Sequence, residues 1–206
     1  QASPPNDWIG GWNFSPLANL EVTVEKQNGE VVYTSDSVTA DEGGNFWIDR
    51  NLVNLNLLPG MTITAVDPLL GEKILTLMPL SLDAVDLETD VITGTAPAGS
   101  ELIVNAGNEF DARDVIVTAD DQGVWLADFS AAEFDLLPRM GFAANLEDED
   151  GDRTVAELTN AHIDVYPEEN RILGFEWEVG EGNQVTLSVQ DSEGQELFTD
   201  SKVVQP

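Results

Sequence analysis

The sequence predicts an all-β protein, a tandem array of β-sandwiches with two complete repeats and one partial one. The first observation behind this is repetition. Ile9-Gly-Gly11, Thr39-Ala-Asp-Glu-Gly-Gly-Asn-Phe46 and Leu57-Leu-Pro-Gly-Met61 return in the same order as Ile92-Thr-Gly94, Thr118-Ala-Asp-Asp-Gln-Gly-Val-Trp125 and Leu136-Leu-Pro-Arg-Met140. A third start stands at Ile172-Leu-Gly174. The second observation is alternation of apolar and polar residues with period two, against weak helical periodicity. The third is the spacing of turn signals, about 8–12 residues, which suits the short strands of a sandwich. The repeats are read as residues 1–80, 81–160 and a partial unit over 161–206. Each full one is long enough to bury its own core.

The elements follow in order. Leu20-Glu-Val-Thr-Val24 alternates as a half-buried strand should. Asn28-Gly29 favours a hairpin because both residues tolerate positive φ, and Val31-Val-Tyr-Thr34 is the returning strand. The second unit matches with Glu101-Leu-Ile-Val104 and Asp114-Val-Ile-Val-Thr118. The third matches with Val185-Thr-Leu-Ser-Val189, a turn at Asp191-Ser-Glu-Gly194, and Glu196-Leu-Phe-Thr199. Turns at Asp41-Glu-Gly-Gly44 and Asp120-Asp-Gln-Gly123 lead into aromatic strands, Phe46-Trp-Ile48 and Trp125-Leu-Ala127. After Leu-Leu-Pro, Met61-Thr-Ile-Thr-Ala65 matches Met140-Gly-Phe-Ala-Ala144. The last strands are Lys73-Ile-Leu-Thr-Leu77 and Arg153-Thr-Val-Ala-Glu-Leu158. Only Ala131-Ala-Glu-Phe-Asp-Leu136 suits a turn of helix. The connectors, Ser81 to Asp90 and Ala161 to Asn170, are acidic and not glycine-rich, which predicts stiff joints and an extended rod.

Composition narrows the function classes. Hydrophobic residues make up 42 %, too many for a disordered chain. Eight basic residues face 39 acidic ones, a formal net charge of -31. Phosphate binding needs clustered Lys and Arg, so nucleic acid is excluded as a partner, and an anionic membrane surface is disfavoured for the same reason. The charge favours solubility and attracts cations. With no cysteine, the chain has no disulfide and no thiolate chemistry. No apolar stretch reaches the ~18 residues that cross a bilayer. The start at Gln1-Ala-Ser-Pro-Pro5 has the look of a processed, exported chain.

Ile92-Thr-Gly-Thr-Ala-Pro-Ala-Gly-Ser-Glu-Leu-Ile-Val104, Val117-Thr-Ala-Asp-Asp-Gln-Gly-Val-Trp125 and Glu147-Asp-Glu-Asp-Gly-Asp-Arg-Thr154 together resemble the bacterial immunoglobulin-like repeat. That family occurs in tandem in large bacterial surface proteins and adhesins. The first unit keeps the middle motif but has Trp12-Asn-Phe-Ser-Pro16 in place of Thr-Ala-Pro-Ala-Gly, and the third keeps only the opening strands. The resemblance implies immunoglobulin-like sandwiches, a secreted or cell-surface location, and a role as spacer rather than catalyst.

Asp148, Asp150 and Asp152 alternate in one turn, a pattern that can start a calcium site because Ca²⁺ takes six to eight oxygens. The competing reading is a hairpin tip whose acids face water. Arg153 stands where an EF-hand loop has its glycine, and Asp67-Pro-Leu-Leu-Gly-Glu72 in the first unit keeps too few carboxylates for the same job. Of five tryptophans, Trp125 aligns with Phe46 and Trp177 with Phe14, as core positions do. Trp12 aligns with Phe175 and is expected to be partly buried. Trp8 and Trp47 remain for surface recognition of carbohydrate or a protein partner. His162, the only histidine, is expected to be an exposed connector residue. No Gly-x-Ser-x-Gly elbow or glycine-rich phosphate loop is present, so the chain is read as non-catalytic.

The third unit is expected to supply three strands from Arg171 onward. They leave an apolar face of Ile172, Phe175, Trp177, Val185, Leu187 and Val189, with Leu197 and Phe198, and no opposing sheet. Three completions are open: further chain, packing on the second unit, or strands donated by a neighbouring subunit. The expected function is a non-catalytic stalk, filament or adhesin segment whose partners are further repeats or neighbouring subunits. The alternatives are a recognition module and an accessory region of a secreted enzyme.

Overall fold

The computed structural model describes residues 1–49, 55–108, 110–159, 162–175 and 184–203. The chain divides into two compact units, residues 1–158 and 159–206. Regular structure is β throughout, apart from single 3-10 turns at Ser130–Ala132 and Pro167–Glu169 among the described residues. The first of these covers part of the stretch expected to be helical.

The first unit contains both full repeats. The first repeat runs β1 (Ala2–Ser3), β2 (Trp8–Gly11), β3 (Asn19–Glu25), β4 (Val31–Thr39), β5 (Phe46–Ile48), β6 (Thr62–Asp67) and β7 (Gly71–Thr76). The second runs β8 (Ser81–Asp86), β9 (Val91–Thr95), β10 (Glu101–Gly107), β11 (Ala112–Thr118), β12 (Val124–Asp128), β13 (Gly141–Glu147) and β14 (Arg153–Thr159). Leu20, Val22 and Val24 are buried on β3 while Glu21 and Glu25 face solvent; Leu102, Val104 and Ala106 are buried in the same way on β10. The period-two pattern thus translates directly into one buried face per strand.

Topology repeats strand for strand. Sheet order β4-β3-β6-β7 in the first repeat corresponds to β11-β10-β13-β14 in the second, and β1-β2-β5 corresponds to β8-β9-β12. Register repeats as well: Gly11 lies opposite Phe46, and Gly94 opposite Trp125. Both glycines are there because the aromatic ring lies on them. A Cβ on Gly11 would sit 2.2 Å from the Phe46 ring, and one on Gly94 2.3 Å from Trp125 and 2.1 Å from the Ser81 carbonyl oxygen. Two separate cores result. Leu20, Val22, Val24, Leu57, Ile63, Leu75 and Leu77 belong to one, and Ile92, Leu102, Trp125, Phe129, Leu136 and Phe142 to the other. The chain passes from one to the other between Leu77 and Leu80.

The structure corrects two expectations. The segment after Leu80 is not a connector: Ser81–Asp86 is strand β8, paired with β9 from Asp86↔Val91 to Ser81↔Thr95. Its apolar residues Leu82 and Val85 pack against the second core, which is why an acidic segment becomes a strand. Nor are the repeats strung only through that segment. β1 pairs on one side with β2 and on the other, in parallel, with β14 at Ala2↔Thr154, so one seven-stranded sheet runs through both repeats. Trp12 is about half exposed, at 45 %.

The second unit holds β15 (His162–Tyr166), β16 (Arg171–Phe175), β17 (Gln184–Gln190) and β18 (Glu196–Val203). The three strands expected from Arg171 are β16, β17 and β18; β15 precedes them, and the four pair as two hairpins, β15-β16 and β17-β18. β15 lies in the expected second connector, and His162 is its first residue. Val185, Leu187 and Val189 share the less exposed face of β17, and Ile172 is partly buried. Leu197 and Phe198 are 63 % and 51 % exposed. Trp177 and the side chain of Phe175 fall outside the described residues, as does the side chain of His162.

Candidate functional site: the joint between the repeats

Several aspartates in the turns between strands are turn locks. Asp41 accepts the N–H groups of Gly43 and Asn45, both at 2.8 Å; Asp120 accepts those of Gln122 and Val124 at 2.8 and 2.9 Å; Asp191 accepts those of Glu193 and Gln195, both at 2.9 Å. A carboxylate that satisfies turn amides in this way stabilises the turn without any ligand. Asp67 goes further. It is buried, and its two oxygens accept the Ser15 N–H and hydroxyl and the N–H groups of Leu69 and Leu70. Burial alone raises its pKa, but the donors from Ser15, Leu69 and Leu70 outweigh it and hold the carboxyl below its ordinary value.

A second device was missed in the sequence. Asp7 and Asp90 both adopt a left-handed backbone, φ 53° and 55°. Each carboxylate reaches across its repeat to the first leucine of Leu-Leu-Pro: Leu57 N–H donates to Asp7 at 2.7 Å, and Leu136 N–H to Asp90 at 2.9 Å. The signal was available, since each aspartate stands two residues before the isoleucine that opens the repeat. In the second unit Asn170 stands in that place, two residues before Ile172, and it too is left-handed at φ 51°.

Asp148, Asp150 and Asp152 do converge. One oxygen from each lies within 4.8 Å of the others. Asp148 also locks the turn, accepting the Asp152 N–H at 2.8 Å. A cation already faces the cluster. Lys73, on β7 of the other repeat, places Nζ 3.2 Å from Asp150 and 3.9 Å from Asp152. Its hydrogen bond to Asp150 and the charge of Asp152 raise the Lys73 pKa. Asp148 is shifted upward, first by desolvation and then by its hydrogen bond with Asp150. Asp150 is shifted downward by that same hydrogen bond and by Lys73.

Around this contact the joint is closely built. Ser3 and Thr154 are fully buried where β1 meets β14. The Met78 N–H donates to Thr154 Oγ1 at 3.1 Å. Glu157 accepts from Trp8 Nε1 at 2.7 Å and from Asn6 Nδ2 at 3.0 Å. Trp8, expected to be a surface ligand contact, is instead 7 % exposed and tied into the joint. Trp47 stacks on it with ring centroids 4.4 Å apart and is 49 % exposed. A cleft of about 440 Å³, lined by residues that include Trp12, Phe14, Lys73, Asp152 and Arg153, opens beside the joint.

No protein-family model matches the chain, and no curated protein matches its sequence. Among solved structures, it is similar to a tetra-tandem repeat in the extending region of a large adhesion protein, at 17 % identity and TM-score 0.31, covering 98 % of this chain and 60 % of that one. It is similar to the BSP domain of a biofilm-associated protein at 18 % identity and TM-score 0.30, over 77 % of this chain and 28 % of that one. A Ca²⁺-stabilised adhesin of an Antarctic bacterium gives 16 % identity and TM-score 0.28, over 77 % and 45 %. The chain spans less than two thirds of each of these structures' lengths. Likeness at this level identifies no family and assigns no activity. Among the described residues, no helix is long and apolar enough to cross a membrane.

Proposed function

We propose that the chain is a non-catalytic structural segment of an exported bacterial surface protein, an adhesin or stalk array built from immunoglobulin-like repeats over 1–80, 81–160 and 161–206. The observation that carries this is the joint. Two repeats with separate cores are coupled by a shared sheet, by Trp8–Glu157, by Met78–Thr154 and by Lys73–Asp150. Such coupling transmits load between neighbours and does not by itself form a reaction centre. Stability in a repeat array sums repeat and interface terms, so a strong interface makes neighbours unfold together. Single-molecule pulling on the full chain tests the role. The expected trace shows abrupt ruptures, with residues 1–158 giving way as one event and refolding on relaxation. Gradual extension at low force would overturn the mechanical reading.

Calcium enters the proposal as a competitor of Lys73. Ca²⁺ at Asp148, Asp150 and Asp152 would displace that ammonium, so Lys73→Ala is expected to bind Ca²⁺ more tightly than the unsubstituted chain in calorimetric titration. No heat from either protein would remove calcium from the account, and equal heats would remove the competition with Lys73. A second reading, recognition of neutral carbohydrate, is favoured by one observation. Trp47 and Trp12, each about half exposed, flank Gly10, where an added Cβ would lie 2.8 and 2.9 Å from their rings. A glycan array that gives signal with the unsubstituted chain and none with Trp47→Ala or Trp12→Ala would support it.

A further inference from the structure

The first repeat carries an indole cluster that its fold does not require. Trp8, Gly10 and Trp12 alternate with Ile9 and Gly11, so they lie on the side of β2 away from the core. Trp47 on β5 stands directly opposite Gly10. Its ring stacks on Trp8 at 4.4 Å and 23°, so the buried Trp8 backs the half-exposed Trp47. The rings of Trp47 and Trp12 adjoin over Gly10, where a Cβ would lie 2.8 Å from one and 2.9 Å from the other. None of the three indoles belongs to either core. The second repeat supplies the comparison. Its residues in the same register are Val91, Thr93, Thr95 and Leu126, with Thr93 opposite Leu126 as Gly10 is opposite Trp47. The same strands therefore form and pair with no indole on the outside. Trp8 serves the joint through Glu157, but that contact does not explain Trp12, Trp47 or the glycine that makes room for them. A glycine inside a strand marks a place of close approach.

We infer that Trp47 and Trp12 form a stacking platform, floored by Gly10, for an uncharged β-linked glycan whose pyranose substituents are all equatorial. This rests on the carbohydrate reading given above and specifies its ligand class. An indole face is the negative side of the ring quadrupole and attracts the C–H bonds of a sugar face. On an all-equatorial pyranose only axial C–H bonds project from the two ring faces. A chain joined through equatorial links is then a flat ribbon, the shape that an open sheet face accepts, whereas an axial link or hydroxyl would lift the ring away. Asn13, exposed beside Trp12, offers a neutral donor and acceptor to the equatorial hydroxyls. Charge and area select this occupant. Each copy carries a formal charge of -31, which repels both a second copy and an acidic polymer. Trp12 and Trp47 are 45 % and 49 % exposed and show roughly 200 Å² between them, far below the ~800 Å² per partner of a standard protein interface. A cation calls for ring faces turned toward one point, whereas Trp8 and Trp47 cover each other's faces. A preceding repeat joined as these two are would lie along β7, the counterpart of β14, and not over β5.

The test titrates the full 206-residue chain with cellohexaose, followed by tryptophan fluorescence and calorimetric heat. The expected result is saturable binding whose Kd is unchanged between about 0.05 and 0.5 M NaCl, since no charge is recognised. Gly10→Thr, Trp12→Thr and Trp47→Leu import the residues that the second repeat has at the same register, so the fold is expected to persist, as melting curves check. Affinity is expected to fall at least about tenfold in each. Gly10→Thr is the sharpest of the three, because it keeps both exposed indoles and only pushes them off the sheet. Maltohexaose, the same sugar joined through axial links, is expected to bind at least about tenfold more weakly than cellohexaose. No binding of cellohexaose would overturn the inference, as would binding that survives all three substitutions or equal affinity for maltohexaose. So would tighter binding of tetramethylammonium, or a dimer of the unsubstituted chain that buries Trp47. The carbohydrate reading fails separately, on an array blank for every glycan. A signal lost with Trp47→Ala but confined to α-linked glycans leaves that reading standing and overturns the ligand class inferred here.

Discussion

At the residue scale, several aspartates of this chain act as backbone ligands. Asp67 shows the logic in its strongest form, with four donors on one buried carboxylate. Its folded pKa lies below the unfolded one, so its contribution to stability is present above the unfolded value, about 3.9, and is lost as pH falls through the folded value. Asp67→Asn is therefore expected to destabilise the first unit at pH 7 and to flatten the acid limb of its stability curve, read by urea unfolding at stepped pH. Asp148 carries the opposite sign. Its folded pKa is raised, so its contribution is present below the unfolded value and is lost as pH rises through the folded one. Asp148→Asn, which keeps an acceptor for the Asp152 amide, is expected to match or exceed the parent's stability at pH 7 and to converge with it in acid. Melting curves across that range check the prediction.

At the element scale, the hairpin-plus-aromatic-strand unit is held by close approach rather than by strand propensity. Gly94 is the clearest position, since an added methyl meets a backbone carbonyl that has little freedom to yield. Gly94→Ala is expected to cost about 1–3 kcal/mol by overpacking, measured by chemical denaturation of the first unit. The left-handed latch is a second element-level device. Asp90→Ala removes an acceptor from the Leu136 amide and places a residue with little tolerance for positive φ at φ 55°. The two effects together are expected to cost about 2–4 kcal/mol, whereas Asp90→Asn should lose less.

At the scale of the whole molecule, the joint decides whether two cores behave as one body. Glu157→Ala removes the acceptor shared by Trp8 and Asn6 and leaves a mostly buried indole N–H without its partner. It is expected to split the unfolding of residues 1–158 into two transitions, visible by calorimetry. A formal charge of -31 also acts on the molecule as a whole. Self-repulsion is screened by salt, so the melting temperature should climb between 0.01 and about 0.5 M NaCl as the Debye length shrinks below the spacing of surface charges.

The sequence by itself determined the all-β class, the central strands of each repeat in their order and the alternating residues that face each core. These follow from period-two alternation, turn residues and repeated signposts, all of which act over a few residues. Alternation alone puts Leu20, Val22 and Val24 inside, and the recurrence of an aromatic at one repeat position does the same for Trp125. Other features needed tertiary structure because they join residues far apart in the chain. Nothing local to Asp90 shows that Leu136 will meet it, nothing local to Lys73 shows that Asp150 will, and a run as short as Ala2–Ser3 carries no strand signal of its own. Trp8 is buried rather than exposed for the same reason. An indole is buried or left in water by what its neighbours bring, and for Trp8 that neighbour, Glu157, belongs to the next repeat.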